Sequence, residues 1–212
     1  MNENWENQTY AGESPHVYYA TPIWYPDMNA YVLFGGEDAD EREDTKRTWI
    51  FQEDCWTLLD TPHSPGKREK ATMAYDDGSG KIVLFGGLNA PLQYNSTKTC
   101  LNDTWEFDGS DWQKIECPNQ PSPRINAAFI TDSRQKGIVL IGGECGGQTL
   151  NDAWFFKSGE WFQLEIEGQK ITKSDGAAAY DKQRDCFVLW GGKNREEWLN
   201  NLHELSFPER LR

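Results

Sequence analysis

Apolar residues recur along the chain in short continuous runs, and each run ends in a pair of glycines. The four runs are YVLFGG at 31–36, KIVLFGG at 81–87, GIVLIGG at 137–143 and CFVLWGG at 186–192. The first glycines of these pairs are separated by 51, 56 and 49 residues. A run that is apolar on both faces predicts a strand that is covered on both sides. The chain is therefore predicted to repeat one β unit.

Aromatic residues follow the glycine pairs with a second regular spacing. Three segments carry the pattern Trp-x-Phe, with another Trp five residues after the Phe. The later tryptophans, Trp56, Trp112 and Trp161, each lie 30 residues before the first glycine of the next pair. Counting 30 residues back from Gly35 reaches Trp5. Trp5 is therefore predicted to occupy the same position of the repeat.

Each repeat predicts four short strands. A small, partly apolar segment precedes a turn and forms the first strand, and the apolar run before the glycines forms the second. The Trp-x-Phe segment and the later Trp supply the third and the fourth. Four strands in each period are typical of a propeller blade. The first-strand segments are 20–25, 71–76, 127–132 and 176–181.

The glycine pairs, the spaced tryptophans, Tyr75 and Tyr180, and the Asn-Asp-x-Trp motifs at 102–105 and 151–154 resemble the kelch-repeat β-propeller family. The resemblance covers essentially the whole chain. It implies an all-β fold, a β-propeller of four kelch-type four-stranded blades in a single domain, 1–212. The expected blades are about 17–58, about 68–115, about 124–164, and about 173–207 together with 3–8.

The last blade needs a strand from elsewhere in the chain. Residues 200–205 align with 102–107 and supply its third strand, but Arg210 stands where the Trp of the fourth strand is expected. The N-terminal strand around Trp5 is predicted to complete this blade. Proteins that resemble kelch propellers mostly have six or seven blades. Two arrangements therefore stay open, a monomer that closes alone and a strand-exchanged homodimer.

Composition restricts the partners and the compartment. A net charge of −13 and a pI near 4.7 disfavour nucleic acid and membrane surfaces. No signal peptide or long apolar span is visible, so a cytoplasmic location is expected. Five cysteines without C-x-x-C spacing argue against a disulfide framework and a zinc site, and reduced thiols are expected. No cofactor and no metal are predicted.

Contact residues are expected in the loops that follow the glycine pairs. The distance from the first glycine to the next repeat Trp is 21, 26 or 19 residues, so length variation is concentrated there. Such loops carry function on a rigid scaffold. Trp198 lies outside the repeat register and is a strong contact candidate. The candidates in these loops are Glu37, Tyr94, Glu144, Arg195 and Trp198.

Basic residues recur 18 positions before three of the glycine pairs, at Arg68, Arg124 and Lys173. One interpretation is a salt bridge to a neighbouring blade. In the other, they ring the mouth of the channel and capture a carboxylate or an acidic peptide, a role that the resemblance to the kelch family implies.

Two functions from different classes follow. The first is a non-catalytic module that binds a protein or peptide through the loops of one propeller face. The second is an enzyme or lectin, similar to a mutarotase or epimerase, that binds a sugar acid with Arg68, Arg124 and aromatic residues such as Trp198. Only three histidines occur, and no nucleophile motif is evident, so the first is favoured and no catalytic residue is assigned.

Overall fold

The computed structural model describes residues 13–89, 99–166 and 172–206. Within these ranges the chain forms 21 β-strands and one 3-10 turn at Pro26–Met28, with no α-helix. The strands are β1 (Val17–Tyr18), β2 (Ile23–Tyr25), β3 (Ala30–Phe34), β4 (Glu37–Asp38), β5 (Thr48–Gln52), β6 (Cys55–Leu59), β7 (Thr72–Asp76), β8 (Lys81–Phe85), β9 (Leu88–Asn89), β10 (Thr99–Cys100), β11 (Thr104–Phe107), β12 (Trp112–Ile115), β13 (Ala128–Asp132), β14 (Gly137–Ile141), β15 (Glu144–Cys145), β16 (Gln148–Thr149), β17 (Ala153–Lys157), β18 (Glu160–Leu164), β19 (Ala177–Asp181), β20 (Cys186–Trp190) and β21 (Leu202–Leu205).

The longer strands form antiparallel sheets that follow the sequence repeat. Three sheets have four strands, in the orders β2-β3-β5-β6, β7-β8-β11-β12 and β13-β14-β17-β18, and a fourth sheet has the order β19-β20-β21. We call them blades one to four. The prediction of an all-β chain built from four-stranded kelch-type sheets is confirmed. The N-terminal strand predicted around Trp5 lies outside the described residues.

Tryptophans of the repeat fill the space between neighbouring blades. The inner strands β2, β7, β13 and β19 lie side by side in chain order. Trp112 packs on Phe34 of blade one at a ring centroid distance of 5.0 Å, and its indole Nε1 donates to Thr48 Oγ1 at 2.9 Å. Trp161 makes the equivalent bond to Thr104 Oγ1 at 2.9 Å. Wide aromatic side chains with one polar group thus fix adjacent sheets to one another.

Apolar side chains stay exposed on the outer faces of blades one and four. Trp24 of blade one is 42% exposed, and Trp190 of blade four is 53% exposed. Phe85 stands at the position of Trp190 in blade two and is fully covered by blade three. Side chains that the repeat buries between blades are therefore uncovered at the two ends of the described array.

Two cysteines correct the expectation that all five thiols are reduced. Cys100 and Cys145 form a disulfide with a Cα–Cα distance of 6.1 Å, whereas Cys55, Cys117 and Cys186 keep their thiols. The two paired cysteines lie in loops that follow successive glycine pairs. These loops meet in space because the blades stack, although the cysteines are 45 residues apart in sequence.

Candidate interaction face

The loops after the glycine pairs and the segments that lead into the first strands lie at one end of the blades, which we call the loop face. Short two-stranded ribbons form there, namely β1-β4, β9-β10 and β15-β16. The described residues of the loop face are 17–19, 37–45, 68–70, 88–89, 99–101, 124–126, 144–150, 173–175 and 193–199.

Backbone hydrogen bonds close the base of the loop in every blade. The second glycine of each pair accepts a bond of 2.8 Å from an amide on the far side of the loop. At Gly142, φ is +63°, and an added Cβ would lie 2.4 Å from the carbonyl oxygen of Lys173. Only glycine tolerates both the conformation and the close approach. The four closing bonds run from Thr45, Leu101, Leu150 and Leu199 to Gly36, Gly87, Gly143 and Gly192.

A buried arginine ties this base together in blade two. The Arg68 side chain is 3% exposed, and its Nη1 and Nη2 donate to the two carboxylate oxygens of Asp103 at 2.7 and 2.9 Å. Nη1 also donates to the carbonyl of Gly86 at 3.0 Å. Trp105 Nε1 donates to Asp103 Oδ2 at 2.7 Å. We call this arrangement of Arg, Asp, Trp and glycine the clamp.

Blade three repeats the clamp with Arg124, Asp152 and Trp154. Arg124 donates to Asp152 at 2.6 and 2.8 Å and to the carbonyl of Gly142 at 2.8 Å. Burial by itself would raise the pKa of Asp152, but the hydrogen bonds from Arg124 and Trp154 and the charge of Arg124 outweigh it and lower that pKa. The carboxylate stays ionised, and the guanidinium has a bidentate partner.

The guanidinium groups of Arg68 and Arg124 are thus engaged by carboxylates of their own blades. Of the two interpretations, the salt bridge is the one observed for these arginines, but the expectation of a partner in a neighbouring blade is wrong, because each carboxylate lies in the same blade as its arginine. The link between blades runs through the backbone instead, because the carbonyl of Arg68 accepts a bond of 2.9 Å from the Gly36 amide. The two side chains support the loop face from beneath.

Blade four keeps the clamp in a weaker form. The Lys173 side chain is buried, and its Nζ donates to Asn201 Oδ1 at 3.3 Å. Burial lowers the pKa of Lys173. His203 takes the position of the clamp tryptophan, and burial followed by the charge of Lys173 lowers its pKa. A neutral amide therefore replaces the carboxylate of blades two and three.

The residues two positions after Arg68, Arg124 and Lys173, together with the residue two positions after Val17 in blade one, form a polar rim that sequence analysis missed. Tyr19, Lys70, Asn126 and Asp175 are repeat equivalents, and all have left-handed backbones with φ between +54° and +60°. The first three line a cavity of 340 Å³ between the inner strands of the four blades. Lys70 Nζ lies 4.4 Å from the centroid of the Tyr19 ring. The fixed offset of Lys70 and Asn126 from Arg68 and Arg124 is the sequence signal that could have identified this rim.

Large aromatic side chains project from the loop face. Trp198 is 78% exposed, Tyr18 is 50% exposed and Tyr19 is 58% exposed. Arg195, in the loop of Trp198, is also exposed. The other aromatic candidate, Tyr94, lies outside the described residues.

The acidic candidates take part in local ion pairs. Lys193 Nζ lies 3.1 Å from Glu144 Oε1 and 3.0 Å from Asp175 Oδ2. These contacts, first with Asp175 and then with Glu144, raise the pKa of Lys193. Glu37 lies 3.7 Å from Arg42 within its own loop. Glu144 therefore joins the loops of blades three and four, whereas Glu37 lies in blade one.

Different side chains link each pair of neighbouring blades at the loop face. Lys67 Nζ of blade two lies 3.0 Å from Glu43 Oε2 of blade one. The Cys100–Cys145 disulfide joins blades two and three. Lys193 and Glu144 join blades three and four. The loop face is thus held both within blades and between them.

In residues 13–89, 99–166 and 172–206, no helix is long and apolar enough to cross a membrane. In the same part of the chain, no group of three or more His, Cys, Asp or Glu residues is placed to hold a metal ion.

Antiparallel four-stranded sheets, glycine-pair turns and inter-blade tryptophans define a kelch-type β-propeller chain. Residues 1–158 match the family model described as the KLHDC2/KLHL20/DRC7 Kelch-repeats domain, and the chain belongs to this kelch-repeat family. Members of this family are in general protein-interaction modules.

A curated relative is the F-box/kelch-repeat protein At1g51550 of Arabidopsis thaliana. It is 30% identical over 128 residues, which cover 53% of this chain and 25% of that protein. The matched region is thus a quarter of the length of this relative.

Proposed function

We propose that the chain is a non-catalytic module that binds a protein or peptide segment through its loop face. The observation that carries this proposal is the exposure of three large aromatic side chains, Tyr18, Tyr19 and Trp198, on that face. Large aromatics are the residues most enriched at the centres of protein interfaces. The repeat does not require Trp198 for blade packing, because it stands outside the register of the core tryptophans.

The scaffold beneath these side chains supports binding without large rearrangement. The loop bases are closed by backbone bonds, and the buried clamps of Arg68 and Arg124 hold two of them. A preorganised face loses less conformational entropy when a ligand binds. The aromatic groups supply apolar contact, and the polar rim supplies hydrogen-bonding groups.

The charge of the chain favours one kind of ligand. At a net charge of −13, the protein attracts cationic segments and repels anionic ones. We therefore propose a peptide with an apolar or aromatic side chain that fits against Trp198, flanked by basic residues. The sugar-acid alternative receives no support from Arg68 and Arg124, since both face buried carboxylates of their own blades.

The test is selection from a displayed peptide library on the immobilised chain, followed by calorimetry with the selected peptides. We expect Trp198→Ala and Tyr19→Ala to weaken binding about tenfold or more, because each removes an aromatic contact. Phe162→Ala is the matched control, since Phe162 is 48% exposed on β18, the outer strand of blade three.

The opposite pattern would contradict the proposal. If Phe162→Ala weakens binding and the two loop-face variants do not, the binding surface lies on the outer strands. If millimolar sugar acids raise the melting temperature and selected peptides do not, the sugar-acid alternative replaces the peptide.

A further inference from the structure

We propose that the Cys100–Cys145 disulfide is a thiol–disulfide exchange site that controls the geometry of the loop face between blades two and three. This inference rests on the proposed function, because the geometry it controls is that of the proposed binding face. A small thiol reduces the disulfide, and the affinity of the loop face for its peptide ligand changes as a result.

The position of the two cysteines carries the inference. Cys100 ends β10 and pairs with Leu88 in the ribbon of blade two, and Cys145 lies in β15 of the ribbon of blade three. Each ribbon is attached by backbone bonds to its own blade, through Glu69 for Leu88 and through Ile125 for Glu144. The disulfide is thus a covalent link between two ribbons whose bases are also joined by the backbone bonds of Arg124 to Leu101 and Gly87.

A small thiol can approach this bond. Both cysteines line a surface cavity of 500 Å³, and Cys145 is partly exposed. Next to Cys145, Gly146 and Gly147 form the hairpin turn with φ of +56° and +76°. No atom of the described residues lies within 4 Å of a Cβ placed on either glycine, so those residues leave space around the turn. The hairpin can therefore move away from β10 once the bond is open.

The side-chain links described between blades one and two and between blades three and four are ion pairs, which break and re-form without chemistry. The exchange reaction at the disulfide is chemically complete with a monothiol as reductant. A thiolate attacks one sulfur, forms a mixed disulfide and releases the other cysteine as a thiolate, which takes up a proton. A second thiol attacks the mixed disulfide and releases the second cysteine. In total, two thiols are oxidised to one disulfide, and the protein disulfide is reduced to two cysteines.

Opening the bond has a definite consequence for binding. The oxidised form presents the two ribbons at one fixed separation, whereas the reduced form must order them when a ligand binds. We expect the reduced chain to bind a loop-face peptide about tenfold more weakly, which corresponds to about 1.4 kcal/mol.

The first experiment needs no ligand. The full chain is equilibrated in buffers of reduced and oxidised glutathione, alkylated in the native state, and mapped by mass spectrometry. We expect Cys100 and Cys145 to become labelled together as the fraction of reduced glutathione rises, and amide exchange in 144–149 to increase at the same time. If both cysteines are labelled in the fully oxidised buffer, or if exchange in 144–149 does not change on reduction, the proposal is wrong.

The second experiment measures peptide affinity before and after reduction. The double variant Cys100→Ser with Cys145→Ser should bind the peptide as the reduced chain does, at every glutathione ratio. Cys55→Ser, which replaces an exposed thiol outside the disulfide, should behave as the parent. Equal affinities for the oxidised and reduced parent would overturn the regulation. Because the labelling needs no peptide, a failure to select any peptide would count against the proposed function alone.

Discussion

Blades three and four have the same backbone at the base of their loops and different side chains around it. In both, the first glycine donates a backbone bond of 3.0 Å across the base, from Gly142 to Asp152 and from Gly191 to Asn201. In blade three, Arg124 and Asp152 form a bidentate ion pair, whereas in blade four the Lys173 ammonium donates to a neutral amide at 3.3 Å.

The difference between blades three and four distinguishes what determines the shape of the loop base from what adds to its stability. The glycine pair and the backbone bonds set its shape, because that shape persists in blade four without the ion pair. The charged clamp adds stability and fixes the side chains. Blade three should therefore depend on its clamp far more than blade four does.

The largest expected effect comes from removing the carboxylate in blade three. The Arg124 side chain is 0% exposed, so Asp152→Ala leaves a buried guanidinium without its counter-charge. We expect the free energy of unfolding in urea to fall by about 3–5 kcal/mol. Asn201→Ala, the matched change in blade four, should cost about 1 kcal/mol, since it removes one hydrogen bond to a neutral group. Equal losses would refute the distinction between the blades.

The second largest effect is expected in acid, which protonates the carboxylates of the clamps in blades two and three and so lowers the stability of the fold. Burial opposes ionisation, but the bonds from Arg68 and Arg124 prevail, and the pKa values of Asp103 and Asp152 lie below their usual value. A lowered pKa in the folded state contributes stability that is fully present above about pH 4, the unfolded value. That stability is lost as the pH falls through the folded values.

Urea unfolding at pH 7, 5, 4 and 3 measures this loss. We expect the unfolding free energy of the parent to decrease with acid more steeply than that of Asp152→Asn, which cannot take up the proton. Asn201→Ala is the control and should keep the slope of the parent. A parent slope equal to that of Asp152→Asn would contradict the lowered pKa of Asp152.

The smallest effect is a gain. Asn201→Asp places a carboxylate beside Lys173 and gives blade four an ion pair similar to those of blades two and three. A charged hydrogen bond is stronger than a neutral one, so we expect about 1 kcal/mol of added stability at pH 7. The gain should decline as the pH falls below about 4, the pKa of the carboxylate in the unfolded chain, and be lost as the pH falls through the lower pKa of the folded state. A loss of stability at pH 7 would show that the site does not accept the second charge.

Much of the fold could be predicted because each blade repeats the same spacing of tryptophans, glycine pairs and apolar residues in the sequence. The distance from Trp112 or Trp161 to the next glycine pair is 30 residues in both cases. This distance is constant because the segment contains a linker and two strands, and the stacking of the blades fixes their lengths. The apolar runs before the glycines predicted buried strands, and β8 and β14 are almost entirely buried.

The partners of the site residues were harder to predict. Arg68 and Arg124 occur in the same two repeats as the Asn-Asp-x-Trp motif, and this coincidence points to Asp103 and Asp152 in hindsight. The Cys100–Cys145 pair has no such regular spacing. It arises because loops of different length meet in space, and loop conformation is not encoded by the repeat.

The closed loop bases have a consequence for engineering and for divergence. Because both ends of each loop are fastened at glycines and their backbone partners, the segment between them can change length while the blade stays in place. Doubling the length of such a loop costs only about 0.6 kcal/mol in closure entropy. The chain thus offers four loops on one scaffold that can accept foreign recognition sequences, provided that a graft keeps the links of its loop to the neighbouring ones, such as Cys100–Cys145 and Glu144–Lys193.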